Sequence, residues 1–393
     1  MRPRPFHSVL VTCLGTFILF ALLSGCEQSP PAKKPAEPPP PKATETPAPA
    51  AQMPIEKPGA PPEPVAEKPT VPEPPKAEPK TEKLVVNVPL GLPPLPIPAD
   101  NPMTAEKVEL GKMLYFDNRV SVDNTVSCAT CHDPAKGWAE HEATSEGIHK
   151  QRGGRNSPTV INAAYANSQF WDGRAATLED QAVGPVGNPI EMGHSMTGVV
   201  QRFEKIPGYA ERFQKVFGTG VTEKGFAQAV AAFERTVLSG DSPYDRYTAG
   251  DKAALSDAQK RGLALFEKNC AQCHKPPLFS NYRFMNAGVG MDKPKPDVGR
   301  KAVSGKDSDL GKFRVPSLRE VANTAPYFHD GSAAKLDDAV ALMAGGGKDN
   351  PNLSEQLRSV GQAKLTADNR KDLVEFLTAL SGKFPVIQPP KLP

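Results

Sequence analysis

At 393 residues, 38% of them hydrophobic and 23% charged, the chain is long enough to bury more than one core of moderate size. Its net charge of +3 is spread along the sequence without a basic block. That spread excludes the concentrated positive face by which proteins hold nucleic acid.

The chain begins with Arg2 and Arg4, followed by the apolar run L-V-T-C-L-G-T-F-I-L-F-A-L-L-S-G-C at 10–26. A basic start, an apolar stretch short for a bilayer and then small residues predict a secretory signal over residues 1–25. Leu-Ser-Gly-Cys at 23–26 is similar to a bacterial lipobox, which makes Cys26 the lipidated mature N-terminus. The alternative is an apolar N-terminal helix that is never cut. Residues 26–83 then form a linker in which 19 of the 51 residues from 30 to 80 are proline. With few large apolar side chains, such a stretch buries too little surface to offset chain entropy and is expected to be a disordered tether.

Two mostly α-helical modules are expected beyond it, over 84–241 and 242–385. Met103–Phe116 places Val108, Met113 and Leu114 on an apolar face, with Thr104 as its N-cap. Phe226, Val230, Phe233 and Val237 recur at helical spacing, as do Leu373, Phe376, Leu377 and Leu380. Ser256 and Gln259 form a capping box that opens a helix running into Cys270. No segment alternates well enough for a long strand.

Each module contains one C-x-x-C-H: Cys128, Cys131 and His132 in the first, Cys270, Cys273 and His274 in the second. Three chemistries use such a pattern. A structural zinc ion takes four ligands, but its cysteine pairs normally sit within a few tens of residues, and here two histidines would be left over. A redox disulfide needs neither the histidine nor this helical setting. Haem c uses everything present, since two thioethers fix the porphyrin edge and the adjacent histidine becomes the axial ligand. Export agrees with covalent haem, and the chain is expected to be a dihaem cytochrome. Whether it only carries electrons or performs chemistry depends on the sixth position of each iron.

Between and after the haem motifs stand R-N-S-P-T at 155–159, F-W-D-G-R at 170–174, Q-A-V-G-P at 181–185, N-P-I-E-M at 188–192 and T-A-P-Y-F-H at 324–329. In that order they resemble the bacterial dihaem cytochrome c peroxidase family, which includes the MauG-like enzymes. The resemblance runs from about residue 90 to 382 and implies two cytochrome-c-like haem domains, the first peroxidatic and the second for electron transfer. It implies that Glu191 is the distal glutamate, Gln181 the distal glutamine, and Trp171 the tryptophan between the haems. Those types suit the reaction, because peroxide must lose a proton from one oxygen and gain one on the other. Trp138 has no counterpart and is expected to pack beside the first haem.

The resemblance also implies Met343, in D-D-A-V-A-L-M-A-G-G-G, as the sixth ligand of the second haem, with Met285 and Met291 as competitors closer to His274. Thioether sulfur stabilises ferrous iron, and MauG-like enzymes resemble this pattern with tyrosine there. His149, in S-E-G-I-H-K-Q-R-G-G, lies close to where many relatives keep a loop histidine over the first iron, with His141 as a competitor. Asn156, Thr324 and Pro326 match positions that lend oxygens to a calcium ion. The implied partners are hydrogen peroxide, a small donor cytochrome c or cupredoxin, and a membrane reached through the lipid anchor on the periplasmic side. Assembly as a homodimer is compatible with the resemblance. A MauG-like oxidase of a protein or organic substrate, and a dihaem shuttle without catalysis, are the other readings open at this point.

Overall fold

The computed structural model describes residues 82–393, so the expected signal at 1–25, Cys26 and the Pro-rich stretch lie outside the described residues. Thr104 caps α1 (Ala105–Phe116) by accepting from the Lys107 amide, as its sequence position predicts. One turn of helix, α2 (Cys128–Cys131), carries the first cysteine pair. There follow α3 (Leu178–Gly187), α4 (Met196–Glu204), α5 (Pro207–Phe217) and α6 (Glu223–Glu234). The second module holds α7 (Pro243–Thr248), α8 (Asp257–Asn269), α9 (Lys301–Ser304), α10 (Leu336–Ala344), α11 (Glu355–Gln362) and α12 (Ala367–Thr378). The Ser256–Gln259 capping box opens α8 as expected. Among the described residues the only sheet is β1 (Phe284–Met285) antiparallel to β2 (Phe313–Arg314).

Each module is built on one close helix crossing. In the first, α1 lies against α6 with Gly111 at the contact, where a Cβ would drive into the Ala229 carbonyl. In the second, α8 lies against α12 with Gly262 at the contact, where a Cβ would drive into the Asp372 carbonyl. Glycine inside a helix costs about 1 kcal/mol relative to alanine, so its presence at both crossings is explained by the backbone approach it permits. The two crossings make the modules copies of one architecture, which the sequence pattern alone does not reveal.

Around the first crossing Leu110, Leu114, Tyr115, Trp138, Phe226 and Phe233 form a fully enclosed aromatic and aliphatic core. Tyr115, Trp138 and Phe233 meet edge-on or tilted at 5.1–5.9 Å between rings. The helix α6 runs through the middle of this core, and every residue from Gly225 to Glu234 is buried. Around the second crossing Phe266, Phe279, Phe376 and Tyr244 play the same part.

The chain past Ser381 departs from the expected layout. Phe384, Ile387 and Leu392 pack against the first core, and buried Trp138 donates its Nε1–H to the Pro385 carbonyl at 2.8 Å. A boundary at 385 therefore cuts through a strap that ties the second module back to the first. The stretch K-F-P-V-I-Q-P-P-K-L-P has neither helical nor strand periodicity, so only its tertiary partners reveal its place.

Gly262→Ala should destabilise the protein by about 1–3 kcal/mol, because the neighbour it would meet is backbone and cannot move aside. Gly187→Ala, at the end of α3 with nothing within 4 Å of the new carbon, should be neutral or slightly stabilising. Chemical denaturation of the two variants checks the difference, and equal effects would contradict the crossing as the cause.

Candidate functional site

The short helix α2 is pinned at its start by Ser127 and Thr130, whose side chain accepts from the Ser127 amide at 3.0 Å. One turn brings Cys128 and Cys131 to the same cavity and leaves His132 at the C-terminal cap. The His132 carbonyl is held by the Tyr115 hydroxyl at 3.0 Å. Burial of its ring pushes its pKa down to about 4 and keeps the imidazole neutral, opposed by the nearby Trp138 and Pro158 carbonyls. His132 Nδ1 closes no hydrogen bond.

The second motif repeats the arrangement at the end of α8. Cys270, Cys273 and His274 line a second cavity, and His274 Nδ1 faces the Phe279 carbonyl at 3.1 Å. Burial takes the His274 pKa to about 4 as well. Both imidazoles are thus unprotonated, as an axial ligand must be.

All four cysteines are free. Burial pushes Cys128 and Cys273 up and holds Cys131 and Cys270 at about 12. Zinc ligation and disulfide exchange both need a thiolate, which these surroundings oppose. The two pairs also stand in separate cavities, and among the described residues no group of three or more His, Cys, Asp or Glu could hold a metal ion. Each set of two thiols and one neutral histidine, opening on a cavity of about 580 Å³ in the first module and about 270 Å³ in the second, fits one haem c.

Glu191 and Gln181 line the same cavity as Cys128, Cys131 and His132. Glu191 follows α3 in a tight turn in which Asn188 Oδ1 accepts from the Ile190 amide at 3.0 Å and Asn188 Nδ2 donates to Glu191 Oε1 at 2.7 Å. Burial raises the pKa of Glu191, opposed by Arg174 and by the Asn188 bond. Arg174 itself lies over the Phe170 ring at 3.4 Å and pairs with Asp172. The side chain of Gln181, one turn into α3, closes no hydrogen bond among the described residues.

Trp171 lines both cavities, together with Asn156–Thr159, Arg314, Pro316 and Ser317. Its indole donates to the Asn156 carbonyl at 2.9 Å, and its own carbonyl accepts from the Arg314 amide at 2.8 Å. The second cavity is also lined by Met343, near the end of α10, and by Met285 on β1. Met291 does not line that cavity and lies against Gly311 instead.

His149 is not brought to the first cavity. Its side chain is 65% exposed and 3.7 Å from Asp123 Oδ2. The neighbouring Ile148 takes the buried place: its side chain joins the first core and its amide donates to the Glu191 carbonyl at 2.9 Å. With Ile148 turned in, His149 adopts a left-handed backbone (φ 54) and faces outward. His141 is also elsewhere, with Nε2 at 3.0 Å from the Asn323 carbonyl. Asn156, Thr324 and Pro326 come together along the second cavity. The Asn156 side-chain oxygen and the Thr324 and Pro326 carbonyls accept no hydrogen bond among the described residues, which suits a hard cation.

Three site residues escape a sequence reading. Asn188 was legible in principle, since Asn three places before a glutamate can form an Asx-turn. Arg174 and Asp297 carry no local signal, because their partners lie across the fold.

Comparison with known proteins agrees with this geometry. The family model described as di-haem cytochrome c peroxidase matches residues 105–253, and that of cytochrome c matches 259–381. The cytochrome-c peroxidase IdrP1 of Denitromonas iodatirespirans is 40% identical over 340 residues, covering 78% of this chain and 90% of that protein. The methylamine utilization protein MauG of Methylorubrum extorquens is 37% identical over 305 residues, covering 76% and 85%. A crystal structure of a MauG-like protein associated with microbial copper homeostasis superposes with a TM-score of 0.68 at 31% identity, covering 76% of this chain and 95% of that one. With two cytochrome-c-like modules and the family's motifs gathered around their cavities, the chain belongs to the di-haem cytochrome c peroxidase family.

Proposed function

We propose that the protein reduces hydrogen peroxide to water, taking two electrons from a small donor cytochrome c or cupredoxin through the second haem and two protons through the first cavity. The observation that carries this reading is that Glu191 and Gln181 line the cavity of His132, whereas the cavity of His274 has Met285 and Met343 facing it. When bound, the haems supply the iron that accepts electrons singly and delivers them to the peroxide oxygens.

This chain's own residues supply the rest. Glu191, with a pKa raised by burial, takes the proton from one peroxide oxygen and returns it to the other. Asn188 fixes one carboxylate oxygen and leaves the other for substrate. Gln181 offers an amide dipole that orients the peroxide. Trp171, at the wall common to both cavities, is the side chain through which electrons pass. Asn156, Thr324 and Pro326 would hold calcium with neutral oxygens, and Cys26 would tether the protein to a membrane facing the periplasm.

Glu191→Gln keeps size and polarity but removes the exchangeable carboxyl proton. Peroxide consumption by the half-reduced variant, followed by stopped flow, should slow by about 10²–10⁴-fold with haem content and spectra unchanged. A loss under about threefold would leave Glu191 a structural carboxylate.

Met343→His should lower the midpoint potential of the second haem in a redox titration, since imidazole stabilises ferrous iron less than thioether does. Met285→Leu, on β1, should leave that midpoint in place. The reverse pattern would transfer the ligand role to Met285.

A further inference from the structure

The first cavity contains a carboxyl that the peroxide chemistry does not use. Glu234 is the last residue of α6, and only 5% of its surface is exposed. It lines the same cavity as Cys128, His132 and Glu191. Its carboxylate closes no hydrogen bond and no ion pair among the described residues. The adjacent Arg235 cannot serve it, because that guanidinium is spent on both oxygens of Glu179 at 2.8 and 3.0 Å.

The other acids around the cavity have partners. Asp172 and Asp297 share Arg155, and Glu191 is bonded to Asn188. The groups that face Glu234 from the packed elements are Tyr115 on α1, Cys128 on α2 and Glu179 on α3, whereas α4 brings only apolar side chains, Met196, Val199, Val200 and Phe203, to this core. Across the cavity stand His132, Arg174, Tyr282 and Arg314. No cation bonds to the carboxylate, so desolvation opposes the ionisation of Glu234 and only the charge of the adjacent Arg235 favours it. Burial, reinforced by Glu179 and only partly offset by Arg235, takes its pKa to about 8.

We propose that Glu234 is the site at which the first cavity takes up a proton when its haem is reduced and releases it when that haem is reoxidised. One electron arrives from the donor and one proton from solvent converts the Glu234 carboxylate to the acid, so the charge of the cavity is unchanged; oxidation reverses both. The linkage has a definite sign. Oxidised haem adds positive charge and lowers the Glu234 pKa, whereas reduction raises it. Between those two pKa values the potential falls as pH rises, by about 59 mV for each tenfold fall in proton concentration for a one-electron couple. Below both values and above both, the potential is flat.

Redox titration of the dihaem holoprotein across neutral and alkaline pH, following the first haem by its spectrum, tests this. The wild type should show the slope with its two flat limits, and Glu234→Gln should show a flat line, with the second haem unaffected. A flat wild-type profile, or a slope that survives in Glu234→Gln, overturns the proposal. If Glu234→Gln does not load haem, Glu234→Asp decides: it should keep the slope with displaced limits, and unmoved limits overturn the idea. The proposal rests on the dihaem reading but not on turnover. A protein inert to peroxide that still shows the slope would sink the peroxidase reading and leave this one standing.

Discussion

The two haem cavities share one wall, and Arg155 holds that wall in place. Its guanidinium donates to both oxygens of Asp297 in the second module, at 2.7 and 2.9 Å, and to Asp172 in the first at 2.6 Å. Asn156–Thr159, the next residues in the chain, line both cavities, and Asp172 follows Trp171 directly. The pairs are half-buried to buried and bidentate on one side, the geometry in which charge-assisted bonds contribute most. Arg300 adds bonds to the Asp172 and Gly173 carbonyls, and the Arg314 amide fixes Trp171 from below. These bonds fix the Trp171 indole in the wall common to both cavities, and the strap of Phe384, Ile387 and Leu392 packs against the first core.

Given that wall, the division of labour follows from what each cavity presents. The two histidines have similar surroundings, desolvated and neutral: His132 caps α2, and His274 stands in the turn that follows α8. The rest of each lining differs. Around His274 it includes Met285, Met343 and aliphatic residues of α10 and α12, with His329 and Tyr327 among its polar members. Around His132 the space is bordered by Gln181, Glu191 and Glu234, groups that can orient a small polar substrate and handle protons. Ile148 contributes by anchoring its loop on the Glu191 carbonyl, which holds the glutamate turn and leaves His149 outside.

Much of this was legible in the chain. The C-x-x-C-H spacing yields the haem reading from chemistry alone, and Thr104 and Ser256 mark their helices because capping is local. The motifs around Glu191, Gln181 and Trp171 assigned those residues to a shared region. What stayed hidden is what depends on distant partners. Gly111 and Gly262 read as weak points in helices until α6 and α12 are seen against them. The terminal strap has no period to read. Asp297 is an ordinary loop acid until Arg155 reaches it across the fold. His149 was placed by distance along the chain, and a one-residue choice between Ile148 and His149 for the buried position reversed the outcome. Burial of an apolar side chain at roughly 1.5–3 kcal/mol favours the isoleucine.

The central claim is that the polar cavity of His132 is where peroxide is reduced with electrons fed from the other haem. Stoichiometric titration of the dihaem protein with hydrogen peroxide, in the presence of a reduced small donor cytochrome, tests it most directly. The account predicts two donor equivalents oxidised for each peroxide consumed, with a spectral response at the first haem. Two haems that remain low-spin throughout and leave both peroxide and donor untouched would contradict it.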